Sequence, residues 1–444
     1  MRKHILLSTA ALVVVTSLNA AENIESMFSE GKVSGQIREF SISRDVTDTR
    51  PGKDDYIRTA SAVGGYLKYE TADFAGLSLG TAFYTTNGLF IGGEDRNDYT
   101  KTDPTLLGPN NESYSLLGEA YLQYKRGNTT FKGGRQKLNT PLAGADDARM
   151  LPNLFEAYLL INTDVEDTTL IAGHVTKFAQ GTFGRVYNGG ILAVTSGYSF
   201  VDSRNQVGQF VNMGTYAVGE STAGVTVASA TYIGIDNIKL QAWDYYAHDI
   251  LNAIYLQADT SWNCRLNDSM KMYASAQLLS ESEVGDEIIG EVDAMYWAVK
   301  LGSKFNNFNI YAAYSSNDES EGAFGNGAVV TPWGGMPAFT QGMVTRHQFL
   351  AGTDAIKAVG SYNWKDFGPK LSTILYYSSY DMSANSGYGI ERTATEAGFD
   401  FIYYPEMVKN LQLRLRGNFP TDFYEAADGA VDWSEYRFIA NYNF

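Results

Sequence analysis

The chain has a single cysteine, Cys264, among 444 residues. Without a second thiol no intramolecular disulfide can hold the fold, even in an oxidising compartment. Proline numbers only 10, and charged residues make up 19%, below the roughly 25% of soluble domains. The four histidines show no pair at metal-ligand spacing, and no glycine-rich phosphate loop is present. Long apolar runs are missing too. Beyond the leader described next, no stretch reaches the ~20 residues of a membrane-spanning helix. Basic side chains are outnumbered, 34 against 50 acidic, for a net charge of −16. That charge opposes phosphate binding and no basic patch offsets it, so nucleic acid is excluded as a partner. What is abundant is glycine, at 44, and aromatic residues, with 30 Tyr and 23 Phe.

The first twenty residues read as a secretory signal peptide: Arg2 and Lys3 form a positive region, Ile5 to Leu18 an apolar one, and Ala20 and Ala21 a small-residue cleavage site. The alternative, an N-terminal anchor, needs a longer apolar stretch. Cleavage near Ala20 leaves 21–444 as one domain.

From Lys32 onward one unit recurs: about ten residues of alternating polarity, then a Gly, Asn or Asp turn, which is the period of a strand. Leu411, Leu413 and Leu415 share one face while Gln412, Arg414 and Arg416 share the other. Met295, Trp297, Val299 and Leu301 likewise oppose Lys300. In the last segment Tyr436, Phe438, Ala440, Tyr442 and Phe444 oppose Glu435, Arg437, Asn441 and Asn443. One face suits lipid or core, and the other water.

Eight tight turns are expected at 73–76, 127–128, 164–167, 235–237, 264–268, 306–307, 365–368 and 405–410. Nine mostly longer polar segments alternate with them, at 45–59, 91–112, 138–152, 179–222, 247–250, 282–292, 317–353, 382–392 and 420–432. This predicts an all-β antiparallel transmembrane barrel of 18 strands, with short periplasmic turns and long extracellular loops. A strand pair hidden near Gly190 to Phe200 would change the count, giving a range of 16 to 20. A soluble all-β protein shares the alternation, but a continuous array of this size leaves exposed edges unless it closes. The terminal Phe444, with aromatics at alternate positions before it, resembles the signal by which the assembly machinery recognises outer-membrane barrels.

Such a barrel is too wide for its own side chains to fill. The third long segment, 138–152, is the candidate for narrowing it. Pro141 and Pro152 keep it out of the ladder, its apolar Leu142, Met150 and Leu151 favour folding inward, and Asp146, Asp147 and Arg149 would then stand at the constriction. An ordinary external loop is the alternative. By parity Arg38, Lys132, Lys300, Arg414, Arg416 and Arg437 point inward, as do Glu119, Glu396 and Asp400. A Lys or Arg facing lipid at mid-bilayer would cost roughly 2–4 kcal/mol. Opposed rows of fixed charge would sort solutes by sign and orient dipoles, unless they merely pair and stiffen the wall.

The segment Gly134-Arg-Gln-Lys-Leu-Asn-Thr-Pro, then Asp147-Ala-Arg-Met-Leu-Pro and Phe155-Glu-Ala, resembles the OprD-type outer-membrane porins, in which a similar stretch forms the inward third loop. Phe28 to Phe40 and Ala172-Gly-His-Val-Thr-Lys resemble that family's first and seventh strands. The resemblance is clearest over 28–180. It implies a passive channel for small polar or charged solutes in a Gram-negative outer membrane, often carboxylates, without cofactor or metal. It also implies basic wall groups opposite acidic constriction groups.

Acidic residues gather at two outer segments, Glu281, Glu283, Asp286, Glu287, Glu291 and Asp293, and Asp422, Glu425, Asp428, Asp432 and Glu435. They would form a mouth favouring cations, or bridge through divalent ions to lipopolysaccharide. Enzymatic chemistry finds no support: His174, His248 and His347 form no nucleophile and base arrangement. Too few residues precede the first strand for a plug domain, though Glu22 to Glu30 could form a brief helix. The rival function is a surface adhesion protein, its segments 179–222 and 317–353 presenting contacts such as Trp333, Met336 and Phe339. A homo-oligomer, such as a trimer, is compatible with this reading, as is a monomer.

Overall fold

The computed structural model describes residues 20–89, 98–267, 269–426 and 429–444. Apart from Ala20 the expected leader lies outside the described residues, as do Asp268, Asp428 and the side chain of Glu425. Eighteen spanning strands follow in chain order. They are β1 Lys32–Asp48, β2 Tyr56–Glu70, β3 Leu77–Gly88, β4 Tyr114–Arg126, β5 Thr129–Gln136, β6 Leu154–Asn162, β7 Thr168–Ala179, β8 Val225–Tyr232 and β9 Ile238–Ala247. The second half comprises β10 Leu251–Asn263, β11 Met270–Glu283, β12 Asp293–Phe305, β13 Phe308–Asn317, β14 Thr353–Asn363, β15 Leu371–Met382, β16 Arg392–Tyr403, β17 Leu411–Thr421 and β18 Gly429–Asn443. Each pairs antiparallel with the next, and β18 returns to β1 in the register Arg38↔Asn441 and Arg44↔Glu435, closing the barrel. Closure leaves no sheet edge to pair with another chain.

All eight tight turns fall between the strand pairs expected to flank them. The 179–222 segment contains no additional spanning pair. It folds into two short helices, Ile191–Thr195 and Met213–Val218, and a two-residue strand, Val211–Asn212, that pairs with β7. A helix, Ile24–Ser29, precedes β1 with a capping box from Asn23 and Ser26. No helix among the described residues is long and apolar enough to cross a membrane.

Alternation sorts the two surfaces as its period requires. Trp297, Val299, Leu301, Leu415, Tyr436 and Phe438 are exposed on the outside, whereas Arg437, Glu435, Tyr296 and Ala298 are buried inside. The strands run further than the sequence pattern suggested. Glu281, Glu283, Asp293, Asp432 and Glu435, expected at the outer mouth, belong to strands β11, β12 and β18. Glu281 and Glu435 are buried among inward groups.

The apolar core lies within the lumen. Leu138 and Leu142 of the third loop pack with Val194 and Met213 of the fourth and with Val330, Trp333 and Met336 of the seventh, against inner-wall residues such as Phe155, Phe178, Tyr245 and Tyr296. A second cluster joins Met150 and Leu151 to Phe40, Ile42, Tyr84 and Leu106. Burying apolar area stabilises by about 25 cal/mol per Å², so these loops are held by the same effect that builds soluble cores. Trp333, Met336 and Phe339, expected as displayed contacts, are therefore buried.

Candidate functional site

The narrow region is assembled from three loops folded onto the inner wall. The third loop, 137–153, meets the seventh, 318–352, backbone to backbone: Gly144 N–H donates to Trp333 O at 2.9 Å, and Gly334 N–H donates to Gly197 O of the fourth loop at 2.9 Å. Gly334 has φ +103°, and a Cβ placed there would stand 2.1 Å from Gly144 O, so glycine is required at this crossing. Arg346 ties the same two loops through an ion pair with Asp146 at 2.9 Å, and Tyr198 also donates to Asp146.

Wall carboxylates grip the seventh loop. Glu396 accepts from the backbone N–H groups of Met343 at 2.6 Å and Thr345 at 2.8 Å. Glu281 accepts from that of Val330 at 2.7 Å. Glu396 thus faces inward as its parity requires, but it anchors a loop.

Two expected site residues, Arg149 and Arg437, converge with Arg44 on one carboxylate. Glu435 of β18 accepts from Arg44 Nε at 2.6 Å, Arg149 Nη2 at 3.2 Å, and Arg437 Nε. Arg149 also donates to Thr105 Oγ1 at 3.1 Å, and its guanidinium lies 4.6 Å from the ring centre of Phe183. Burial and the neighbouring Arg437 bring Arg149 down to about 10, which leaves it cationic at neutral pH. Arg38 donates to Asp147 Oδ1 at 2.6 Å and to Asn441 Oδ1 at 2.8 Å. Arg416 is in register with Arg437, and Arg414 and Arg416 share Asp400, Arg414 Nε lying 2.7 Å from Oδ1 and Arg416 Nε 3.3 Å from Oδ2. Each acidic group of the third loop is held by a particular guanidinium, Asp147 by Arg38 of the wall and Asp146 by Arg346 of the seventh loop.

Glu119 and Lys132 lie apart from this cluster. Glu119 accepts from Tyr84 at 2.8 Å and pairs with Lys68 at 3.3 Å, while Lys132 Nζ sits 3.8 Å from the ring centre of Tyr121.

Lys300 stands in a chamber of about 510 Å³ between the third and seventh loops and strands β9–β14. Lys357 joins it, with Asp146, Arg346, Gln257 and Gln277 on the chamber surface. Lys300 Nζ lies 4.1 Å from the ring centre of Phe339, and Lys357 donates to Gln341 O. Neither ammonium forms a salt bridge among the described residues.

Arg44, Arg346 and Lys357 are residues of this region that sequence reasoning did not single out, and Glu435 was assigned to the outer mouth. Arg44 and Lys357 lie on inward strand parities and were discoverable by counting. Arg346 belongs to a loop, where no period applies.

A family model of outer membrane porins, OprD family, matches residues 26–444. The chain belongs to the OprD family of outer membrane porins. It is a channel for small solutes in the Gram-negative outer membrane. The porin's fold is similar to that of Pseudomonas aeruginosa OccK9 (OpdG), at 18% identity and TM-score 0.75, covering 94% of this chain and 99% of that one. It is also similar to P. aeruginosa OpdK with vanillate, at 14% identity and TM-score 0.74, with the same coverage. P. aeruginosa OccK2 (OpdF) in complex with glucuronate gives 14% and 0.71, again covering 94% and 99%. No curated protein matches by sequence. The family does not favour the adhesion alternative. Among the described residues no group of three His, Cys, Asp or Glu could hold a metal. His174 and His248 approach to 5.9 Å between ring centres, both against Thr226 Oγ1 and away from the chamber.

Proposed function

We propose that this porin passes small anionic solutes, carboxylates above all, through the chamber beside Lys300 and Lys357, by diffusion and without chemistry. The observation that carries the reading is a contrast in contact: the guanidiniums around Glu435 and Asp400 are each held against a carboxylate, whereas the two chamber ammoniums form no salt bridge among the described residues. An unmatched cation in a narrow, low-dielectric passage attracts an anion more strongly than it would in bulk water. Gln257, Gln277 and Tyr311 add neutral hydrogen-bonding groups on the same surface. The vanillate and glucuronate named with two structural neighbours are both carboxylates.

In this reading Asp146, Asp147 and Arg149 hold the third loop in place. Arg38, Glu119, Lys132, Asp400, Arg414, Arg416 and Arg437 set the field along the wall. The long loops lie at the extracellular end of the barrel, residues 1–20 are removed on export, and 21–444 form the single barrel domain. The apolar exterior contacts lipid and lipopolysaccharide, and the aromatic terminus ending in Phe444 addresses the assembly machinery. The test is the reversal potential of single channels under a potassium chloride gradient. Wild type prefers chloride, and Lys300→Gln with Lys357→Gln shifts the potential toward cation preference. An unchanged potential in the double variant would remove these lysines from the selectivity argument.

A further inference from the structure

Arg38, Arg44 and Arg437 turn from their strands into the lumen, where they are buried, but two basic residues turn the other way. On β5, Arg135 shares the outer face with Phe131, which is 38% exposed, while Lys132 and Gln136 are buried inside. On β6, Glu156 shares that face with the exposed Tyr158 and Leu160, whereas Phe155, Ala157 and Leu159 are buried. Simple alternation would send Lys177 of β7 inward with Val175. The register shifts between Glu156 and Ala157, however, so that Ala157 lies opposite Val175 and Glu156 opposite Lys177. A bulge of this kind re-aims a side chain, and here it carries Lys177 to the outside.

Arg135, Glu156 and Lys177 thus stand side by side on three adjacent strands. Glu156 Oε1 lies 3.0 Å from Lys177 Nζ and accepts from Thr176 Oγ1 at 3.1 Å. Its Oε2 is 3.8 Å from Arg135 Nε, beyond hydrogen-bond reach. No second carboxylate pairs with either cation among the described residues, so the row keeps a net positive charge in a chain whose own is −16. Both cations are open to the outside, their side chains 38% and 42% exposed. Phe210 of the fourth loop braces the Arg135 guanidinium, 4.3 Å from its ring centre. The depth of the row follows from its strands. β5 has eight residues and β6 nine. At about 3.4 Å per residue a strand of eight is about 27 Å long, and once tilted it is no taller than the ~25 Å apolar band it crosses. The row at its upper end lies where hydrocarbon gives way to headgroups, the depth at which an outward Lys or Arg costs little.

We infer that the row of Arg135, Glu156 and Lys177 is a docking site for a phosphate of lipopolysaccharide in the outer leaflet. Position and charge choose this occupant together. The ligand presents an anion at headgroup depth and leaves apolar chains against Phe131, Leu160 and Leu122, which are exposed on the same wall below the row. On the long-loop side of the membrane the lipid that carries both is lipopolysaccharide. Its phosphate bridges the two cations, taking the ammonium donors of Lys177 that Glu156 leaves over and the outward edge of the Arg135 guanidinium.

Native mass spectrometry of the purified full-length porin tests this, with EDTA present to remove divalent bridges. The probes are bis-phosphorylated lipid A and the same lipid stripped of both phosphates. The phosphorylated lipid binds saturably, and the stripped one about tenfold more weakly, the equivalent of one hydrogen bond to a charged group. Arg135→Gln with Lys177→Gln brings the phosphorylated lipid to the level of the stripped one. Glu156→Gln, which frees both cations, tightens its binding. The inference is overturned if removing the phosphates leaves the half-saturating concentration unchanged, or if the double variant, shown folded by its wild-type conductance, keeps the wild-type value. It is equally overturned if Glu156→Gln weakens binding, or if inorganic phosphate at equal concentration displaces the lipid, which would make the row a site for a free anion. The charges of the row lie outside the wall, so the double variant keeps the wild-type reversal potential, and this reading and that of the chamber fail separately.

Discussion

Arg149 and Glu435, 286 positions apart in the chain, meet at 3.2 Å with both side chains fully buried. The contact fastens the third loop to the strand that closes the barrel. Arg44 and Arg437 share the same carboxylate, so one negative charge balances a crowd of cations. Replacing Glu435 by Gln leaves those guanidiniums buried without their counterion, a change that costs roughly 3–5 kcal/mol where one partner of a buried pair is removed. Glu435→Gln is expected to lower the unfolding temperature of the refolded barrel, read from the shift between folded and unfolded bands on heated gels. Adding Arg149→Met should recover part of the loss, because one of the stranded charges is then gone. Strictly additive losses would mean that Arg149 and Glu435 are not coupled.

The crossing of the third and seventh loops at Gly334 gives a second expectation. A methyl group there meets Gly144 O at 2.1 Å, and the backbone at φ +103° is strained for any L side chain. Gly334→Ala should therefore lift the seventh loop away from the third while leaving the strands untouched. Single-channel conductance rises and becomes noisier, and the thermal unfolding of the barrel stays near the wild-type value. Wild-type conductance in this variant would show that the loop contact does not limit the passage.

The barrel was legible because its two governing signals are local. Alternation in segments such as Leu411 to Arg416 reports facing, and turns such as Asn306 and Asn307 report direction reversal. The same parity points Arg437, Lys300 and Asp400 inward, where Arg437 and Asp400 are buried and Lys300 lines the chamber. What it could not supply was pairing. Arg149 finds Glu435, and Asp146 finds Arg346, through loops with no repeating geometry. Glu435 illustrates the difficulty: its face was readable, yet its acidic neighbours in sequence suggested an outer mouth. Strand β18 begins at Gly429, earlier than the polar composition implied, and this carries Glu435 into the lumen. Trp333 and Met336 misled in the opposite sense, because an apolar residue in a long loop packs as well inside a wide barrel as against a partner.

His347 makes the seventh loop sensitive to acid. Its ring is fully buried, Nε2 lies 2.7 Å from Phe423 O as the donor of a hydrogen bond, and Nδ1 has no partner among the described residues. Burial, helped by the nearby Arg392, brings its pKa down from 6.5 to about 4. Tyr380 and Tyr388 also face the ring, and neither supplies a negative charge at neutral pH. The undocked loop takes up a proton below about 6.5, whereas the docked loop resists it until about 4. Docking is thus fully favoured above that window and weakens as the pH falls through it, because the undocked state binds more protons there. Single-channel recordings between pH 7.5 and 4.5 should show current fluctuations increasing on acidification. His347→Gln, whose amide can still donate to Phe423 O but does not titrate, should flatten this dependence. Fluctuations that rise equally in the variant would assign the acid response to other groups, such as the carboxylates that hold the same loop.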